Sequence, residues 1–531
     1  MTLPFLRRLR SPLRLLRDMS LVSGSGVFDR DWYLVQNPDI ARAGVNPLVH
    51  YLRRGGFEAR DPSQYFDSDW YLAQNQDVAA AGLNPLVHYL RRGGFEGRNP
   101  SPHFDSDRYL AENLDVARAG LNPLVQYVRS GDAKNAARRI NNSNGKPTAV
   151  NDLLRTRFSA LQPLRVYSVP DLGRRVTVVT DSINQGHLFG GVATAMILGS
   201  LLSNRWNAAL RIVTRQEKAH QRNFRRIVES NGIKWQKNVE FVYTDLDYHA
   251  AEIDAGEKDI FITTSWWTTW SVKQAIAEDQ IIYLLQEDER MFYPLGDDHL
   301  RCTEVLSSDK IRFVLNSRLL YDHLVSSGLS NIGKNGDWFE PSFPKVLFYP
   351  DDHRDGNKKN FLFYARPNNL RNLYYRGLEA ISRAVNRGIL DPDEWELFFV
   401  GKDLTNVSFG RGCQPRLLQN LDWSEYAAVL RRIDVGLSLM YTPHPSYPPL
   451  DLAACGAVVV TNRYGLKQSL ENYSRNILCT ETDTESLVRG IADAVELATD
   501  QYRRMENYRN NSILDDWALS FENVLRNLIE D

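Results

Sequence analysis

The chain has 531 residues, of which 43% are hydrophobic and 24% charged. That length calls for two or three domains, because single cores rarely grow past roughly 250–300 residues. The formal net charge of −1 gives no global attraction to nucleic acid, and four well-separated cysteines without a CxxC pair argue against a disulfide framework or a metal cage. No apolar run reaches the roughly 18–20 residues of a membrane span, and no secretory signal with an apolar core is read, so a soluble or peripheral protein of a reducing compartment is expected.

Residues 1–20 are the one charge-biased segment. Leu6, Leu9, Leu13 and Leu16 fall on one helical face, surrounded by Arg7, Arg8, Arg10, Arg14 and Arg17. Such a helix suits an anionic membrane surface. Pro12 interrupts it, and a frayed terminal tail reads equally well.

An internal repeat follows over residues 28–131, its copies beginning at Phe28, Phe66 and Phe104, 38 residues apart. Each copy reads as short helices: an Asp-started WYL turn, a DIARAG-type turn, and NPLVHYLRRGG with proline in its first turn and glycine at its end. Three such units can share one core. His50 and His88 are replaced by Gln126 in the third copy, which speaks for packing or capping rather than for a metal. Residues 132–170 begin polar and Asn-rich and read as a linker, with a helix at NDLLRTRFSALQ.

From Arg174 the texture changes to continuous Val, Ile and Leu runs separated by helical stretches, the pattern of a parallel sheet covered on both faces. The first strand leads through His187-Leu188-Phe189-Gly190-Gly191 into a helix. Two glycines there permit close backbone approach and the helix N-terminus favours an anion, although a tight strand–helix turn needs no ligand. The spacing is not GxGxxG, so a dinucleotide fingerprint is not supported. Gln286 to Pro294, QEDERMFYP, follows an apolar strand and sets Glu287, Asp288 and Glu289 where α/β sheets place their sites. One of them as general base is the stronger reading over a solvated loop. Trp266, Trp267 and Trp270 form either a sugar-stacking wall or helix packing, and packing is the commoner fate of tryptophan.

Asn335 to Pro344 looks like a crossover to a second sheet that starts at Phe361. Arg366 ends its first strand and Arg371 follows within a turn, two guanidinium groups suited to phosphate. The stretch Leu439–Asn462, LMYTPHPSYPPLDLAACGAVVVTN, reads as loop, helix and strand, with Ser446, Tyr447 and Asp451 at the helix entrance. Either its prolines stiffen a turn or the helix N-terminus holds a diphosphate.

Together, the Gly-Gly loop, YARP and HPSYPPLDLAACG resemble GT-B glycosyltransferases, most closely the branch near family four that includes bacterial rhamnosyltransferases of surface-glycan assembly. The amino-terminal copies resemble the FD-x-x-WYL repeats that precede some of these enzymes. The resemblance implies an α/β GT-B fold, two Rossmann-like domains facing a cleft (171–340 for the acceptor, 341–510 for the donor), with 511–531 as a helix returning to the first, all preceded by a small all-α repeat module. It implies a nucleotide-sugar donor, L-rhamnose from dTDP as first guess, and a glycan or lipid-linked glycan acceptor. Arg366, Arg371, Ser446 and Tyr447 would hold the diphosphate and Asp451 the ribose. Glu287 and Glu289 would match the acidic positions of a Gln-Asp-x-Glu pattern as catalytic residues, and His187, Gly190 and Gly191 would form an acceptor or phosphate loop. The Glu-x₇-Glu pair of retaining members is broken: Asp451 stands at its second position and Pro443 at its first, leaving retention or inversion open. With no convincing DxD motif, catalysis without a metal or resident cofactor is expected, as is a cytoplasmic protein, peripheral at most through residues 1–20. A non-catalytic glycan-binding or scaffold protein is the competing reading; a sugar-nucleotide epimerase would need the missing dinucleotide fingerprint.

Overall fold

The computed structural model describes residues 12–530 apart from 59, 102–103, 113–115, 117–120, 130–148, 185–189, 236–237, 245–250, 352–357 and 420. The chain divides into two compact units, Met1–Asp152 and Leu153–Asp531.

In the first unit the short helices are set by their caps. Asp29 and Asp67 accept the N–H groups of Trp32 and Trp70 at the starts of Arg30–Gln36 and Ser68–Gln74. Asn46 and Asn84 do the same for Pro47–Arg53 and Pro85–Arg91, each with proline in the first turn. Buried Tyr33, Tyr51, Phe66, Tyr71 and Tyr89 make the core. His50 and His88 bond Tyr33 and Tyr71 hydroxyls through Nδ1 at 3.0 and 2.9 Å. A Cβ at Gly55 or Gly93 would collide with those same hydroxyls, and one at Gly56 or Gly94 with the amide of Asn84 or Asn122, which together explain the Gly-Gly pair. The copies are joined by Tyr51 to Ser68 and Tyr89 to Ser106, hydroxyl to hydroxyl at 3.0 and 2.9 Å.

The expected surface helix over residues 1–20 is corrected in its described part. Pro12 starts a helix, Pro12–Ser25, instead of interrupting one, because proline is preorganised for the first turn. Val22 is fully buried in the repeat core, and Asp18 accepts Arg91 at 2.8 Å. Residues 1–11 lie outside the described residues.

In the second unit the strands are β1 Val166–Ser168, β2 Arg175–Thr180, β3 Ala209–Thr214, β4 Val239–Tyr243, β5 Ile253–Ala255, β6 Ile260–Thr263, β7 Ile281–Leu285, β8 Arg312–Asn316 and β9 Gly336–Phe339. A second set follows: β10 Lys359–Ala365, β11 Trp395–Gly401, β12 Arg416–Gln419, β13 Val435–Leu437, β14 Val458–Asn462 and β15 Ile477–Thr480. The first sheet runs β4-β3-β2-β6-β7-β8-β9 and the second β12-β11-β10-β13-β14-β15, both parallel throughout. In each, strand order reverses beside the first strand, opening a crevice at the carboxyl ends between β2 and β6 and between β10 and β13. β7 is buried along its whole length, as a strand covered on both faces must be. Both crevices face one cavity, and the fold is GT-B.

Three short elements depart from the expectations. Gly336–Phe339, within the expected crossover, is the edge strand β9. The expected linker to residue 170 becomes part of the first domain well before its end: Leu161 and Leu164 are buried in its core, and β1 pairs with β5. A few apolar residues in polar surroundings carry too little periodicity to reveal either element. At the other end, the chain returns to the first sheet. Phe521 lies 4.3 Å from Phe339 between ring centroids, and the indole of Trp517 donates to Asn231 at 2.8 Å.

Candidate active site

The cavity between the two sheets holds about 400 Å³, enough for a nucleotide-sized ligand. Gly190, Gly191, Gln286 and Glu287 line it from the first half; Arg366, Lys402, His444, Ser446, Tyr447 and Asp451 line it from the second. His187 falls in 185–189, outside the described residues. Gly190 has φ +69°, a backbone state that glycine adopts without cost, and begins the helix Gly191–Trp206.

The loop after β13 is held from below. Asn462 accepts the Met440 N–H at 2.7 Å and donates to its carbonyl at 3.0 Å. Lys467, fully buried, donates to the carbonyls of Met440 at 2.9 Å and His444 at 3.3 Å, and burial pulls its ammonium down to about 8. The N–H of Ser446 donates to His444 Nδ1 at 2.8 Å, with Ser446 at φ +71°, ψ 149°. A non-glycine residue in that region costs on the order of 1–3 kcal/mol and persists only where neighbours impose it. The helix Tyr447–Ala454 then starts with Pro448 and Pro449 among its first residues. Proline has no N–H, so the helix entrance offers an anion fewer backbone donors than its position suggests.

Tyr447, on the cavity wall, has a second role as a latch. Its hydroxyl meets Thr194 Oγ1 at 2.8 Å, accepts from Asn316 Nδ2 at 2.8 Å and donates to Gln286 Oε1 at 3.2 Å. All three partners belong to the first half, so a second-half side chain ties the cleft shut. Tyr447→Phe should cost about 1–3 kcal/mol, since each lost bond strands buried polar atoms. Thermal unfolding reads the loss, and small-angle scattering should show a more open second unit.

The three carboxylates after β7 separate sharply. Glu287 faces the cavity with Arg371 Nη1 3.8 Å away, and burial raises its pKa. Asp288 is held down to about 2, where hydrogen bonds from Arg290 and His323 overcome the cost of burial. Glu289 is 4% exposed, accepts the Trp266 N–H at 2.7 Å and is pushed up to about 8 by burial. Its place among the catalytic pair is therefore corrected: it is turned into the core, off the cavity wall. Arg371 is likewise off the wall, its guanidinium 4.0 Å above the Phe292 ring and shared with Glu287, whereas Arg366 is on it.

Asp451 is 2% exposed; Oδ2 accepts the Tyr426 hydroxyl at 3.1 Å and Oδ1 has no hydrogen-bond partner among the described residues. Burial holds its carboxyl well above the usual range. The tryptophans pack: Trp266 is buried and donates to Tyr293 at 3.0 Å, and Trp267 donates to Asp181 at 2.8 Å. Sequence reasoning passed over Lys402, Gln286 and His444. Lys402 follows β11, a strand end that the Rossmann pattern marks. His444 stood unweighed beside Pro443.

Residues 175–317 match "WsaF, N-terminal domain" and residues 359–492 match "WsaF, C-terminal domain". A relative from Myxococcus xanthus, O-antigen biosynthesis protein RfbC, is 28% identical over 271 residues, 51% of this chain and 21% of its own length, so the chain spans about a fifth of that relative. Among solved structures, Anabaena Alr3699/HepE in complex with UDP-glucose is 12% identical with a TM-score of 0.49, over 67% of this chain and 100% of its own. Sucrose-phosphate synthase from Thermosynechococcus elongatus is 13% identical with a TM-score of 0.46, over 67% and 100%. The two WsaF matches together cover just over half of the chain, coincide with the two parallel sheets and keep their order: the second unit is an N-terminal and a C-terminal domain of the WsaF family.

Proposed function

We propose that the protein is a glycosyltransferase of polysaccharide biosynthesis that moves a sugar from a nucleoside diphosphate to a growing surface glycan, free or lipid-linked. The observation that carries this is the shared cavity: a carboxylate from the first sheet, Glu287, faces cations and an acid, Arg366, Lys402 and Asp451, from the carboxyl ends of the second. The acceptor hydroxyl attacks the anomeric carbon, Glu287 takes its proton, and the nucleoside diphosphate leaves. Burial raises the pKa of Glu287, which makes its carboxylate a stronger proton acceptor. Charge on the leaving diphosphate is met by Arg366 and Lys402, a preorganised arrangement that does not call on a divalent ion. Asp451 Oδ1 is left to bond a ribose hydroxyl.

L-rhamnose from dTDP is the proposed donor, on family resemblance. The protein acts in the cytoplasm, and any hold on the membrane face rests on Arg7, Arg8 and Arg10, since the helix from Pro12 is taken up by the repeats. Calorimetry with UDP, GDP and dTDP tests the reading; binding of none of them ends it. Arg366→Ala and Asp451→Ala should each weaken the best of these ligands by about tenfold or more, the first losing a bond to a charged group and the second leaving a ribose hydroxyl and the buried Tyr426 hydroxyl without a partner. Unchanged affinity in both would instead favour a scaffold whose cavity is idle.

A further inference from the structure

His444 is 2% exposed, lines the cavity and makes no use of one ring nitrogen. Its Nδ1 accepts the Ser446 N–H at 2.8 Å, so that nitrogen carries a lone pair and the ring proton of the neutral tautomer sits on Nε2. Lys467 donates to the His444 carbonyl at 3.3 Å, and a cation so close opposes a second positive charge on the imidazole. Consistently, burial and Lys467 hold the ring's pKa down to about 3. Nε2–H is therefore a fixed, buried, unpartnered donor among the described residues, and buried donors left without a partner in a native protein call for an explanation.

The explanation lies one turn further on. Pro448, on the cavity wall, and Pro449 next to it remove two N–H groups from the first turn of Tyr447–Ala454, where a helix otherwise presents several donors. We propose that His444 is a neutral N–H donor to a phosphoryl oxygen of the bound nucleotide, standing in for the backbone donors that the prolines remove. The strained Ser446 backbone is the means of presenting it, since Ser446 supplies the bond that sets the tautomer. The proposal rests on the nucleotide-sugar reading above and adds to it a ligand-contacting residue.

Two substitutions separate contact from scaffolding. His444→Asn keeps an acceptor near Nδ1 for the Ser446 N–H and loses the donor at the depth of Nε2. His444→Gln keeps an amide N–H at that depth and loses the short-range acceptor. Affinities for UDP, GDP and dTDP are measured by calorimetry, and for uridine, guanosine and thymidine by ligand-observed NMR. His444→Asn should weaken the preferred diphosphate by about 10- to 100-fold, the scale of a hydrogen bond to a charged group, with the matching nucleoside within about twofold. His444→Gln should recover most of the diphosphate affinity. Diphosphate binding by His444→Asn within twofold of wild type overturns the assignment, and so does an equal loss for nucleoside and diphosphate, which would mark a collapsed loop. A wild-type chain that binds no nucleotide overturns the nucleotide reading and this assignment with it.

Discussion

Glu287→Gln is expected to lower the transfer rate at saturating donor by about 10²–10⁴-fold, the contribution of a positioned general base. Affinity for the nucleoside diphosphate should stay within about twofold, because the amide keeps the volume and the polar contact near Arg371 while losing the ability to take a proton. Of the three carboxylates that follow β7, only this one borders the cavity. Asp288 is committed to Arg290 and His323, and Glu289 to the Trp266 backbone. Steady-state kinetics paired with calorimetry separate the two effects. A variant that binds donor normally and transfers at the wild-type rate would place the proton acceptor elsewhere.

The second large effect concerns stability. Burial pushes Glu289 up to about 8, against 4.5 for the unpaired side chain. Between those values the folded protein keeps a proton that the unfolded chain has released, so the unfolded state binds fewer protons and stability falls as pH rises. The contribution is full below about pH 4.5 and gone above about pH 8. At about 1.36 kcal/mol per unit, the wild type should lose on the order of 5 kcal/mol across that window through this one group. Glu289→Gln mimics the protonated acid, keeping a carbonyl acceptor for the Trp266 N–H without a charge to bury. Its unfolding midpoint in denaturant should match wild type near pH 5 and exceed it at pH 8. Equal midpoints at both pH values would mean that Glu289 ionises normally.

Much of the architecture could be read from residue patterns because parallel strands covered on both faces write themselves as near-continuous runs of apolar, aromatic and β-branched side chains. β2, β7, β10 and β14 are such runs. β5 and β9 are three and four residues long, too short for a period to show, and β1 escaped for the same reason. The site was legible as far as position along the chain decides it: Arg366 and Glu287 follow strand ends, where topology concentrates ligands. What sequence could not resolve is direction. Glu287 and Glu289 differ by two residues, yet one faces the cavity and the other the core, because the chain turns into a 3₁₀ segment, Glu289–Phe292. The latch role of Tyr447 could not be read because its three hydroxyl partners lie 131 to 253 residues away in sequence. Lys467 reads as a surface lysine until the loop it clamps is folded over it.

The joints of the repeat unit bear on how such a module can change over time. Asp29 N–H meets the Pro62 carbonyl as Asp67 N–H meets that of Pro100, and Asn84 reaches Tyr51 as Asn122 reaches Tyr89. Among the described residues these bonds, with Tyr51 to Ser68 and Tyr89 to Ser106, recur at both seams in the same atoms at the same offsets. Insertion or removal of one 38-residue block would preserve these recurring bonds at the remaining seams. The module is a ruler whose length duplication can reset, without any new interface having to be invented and without touching the chemistry encoded downstream.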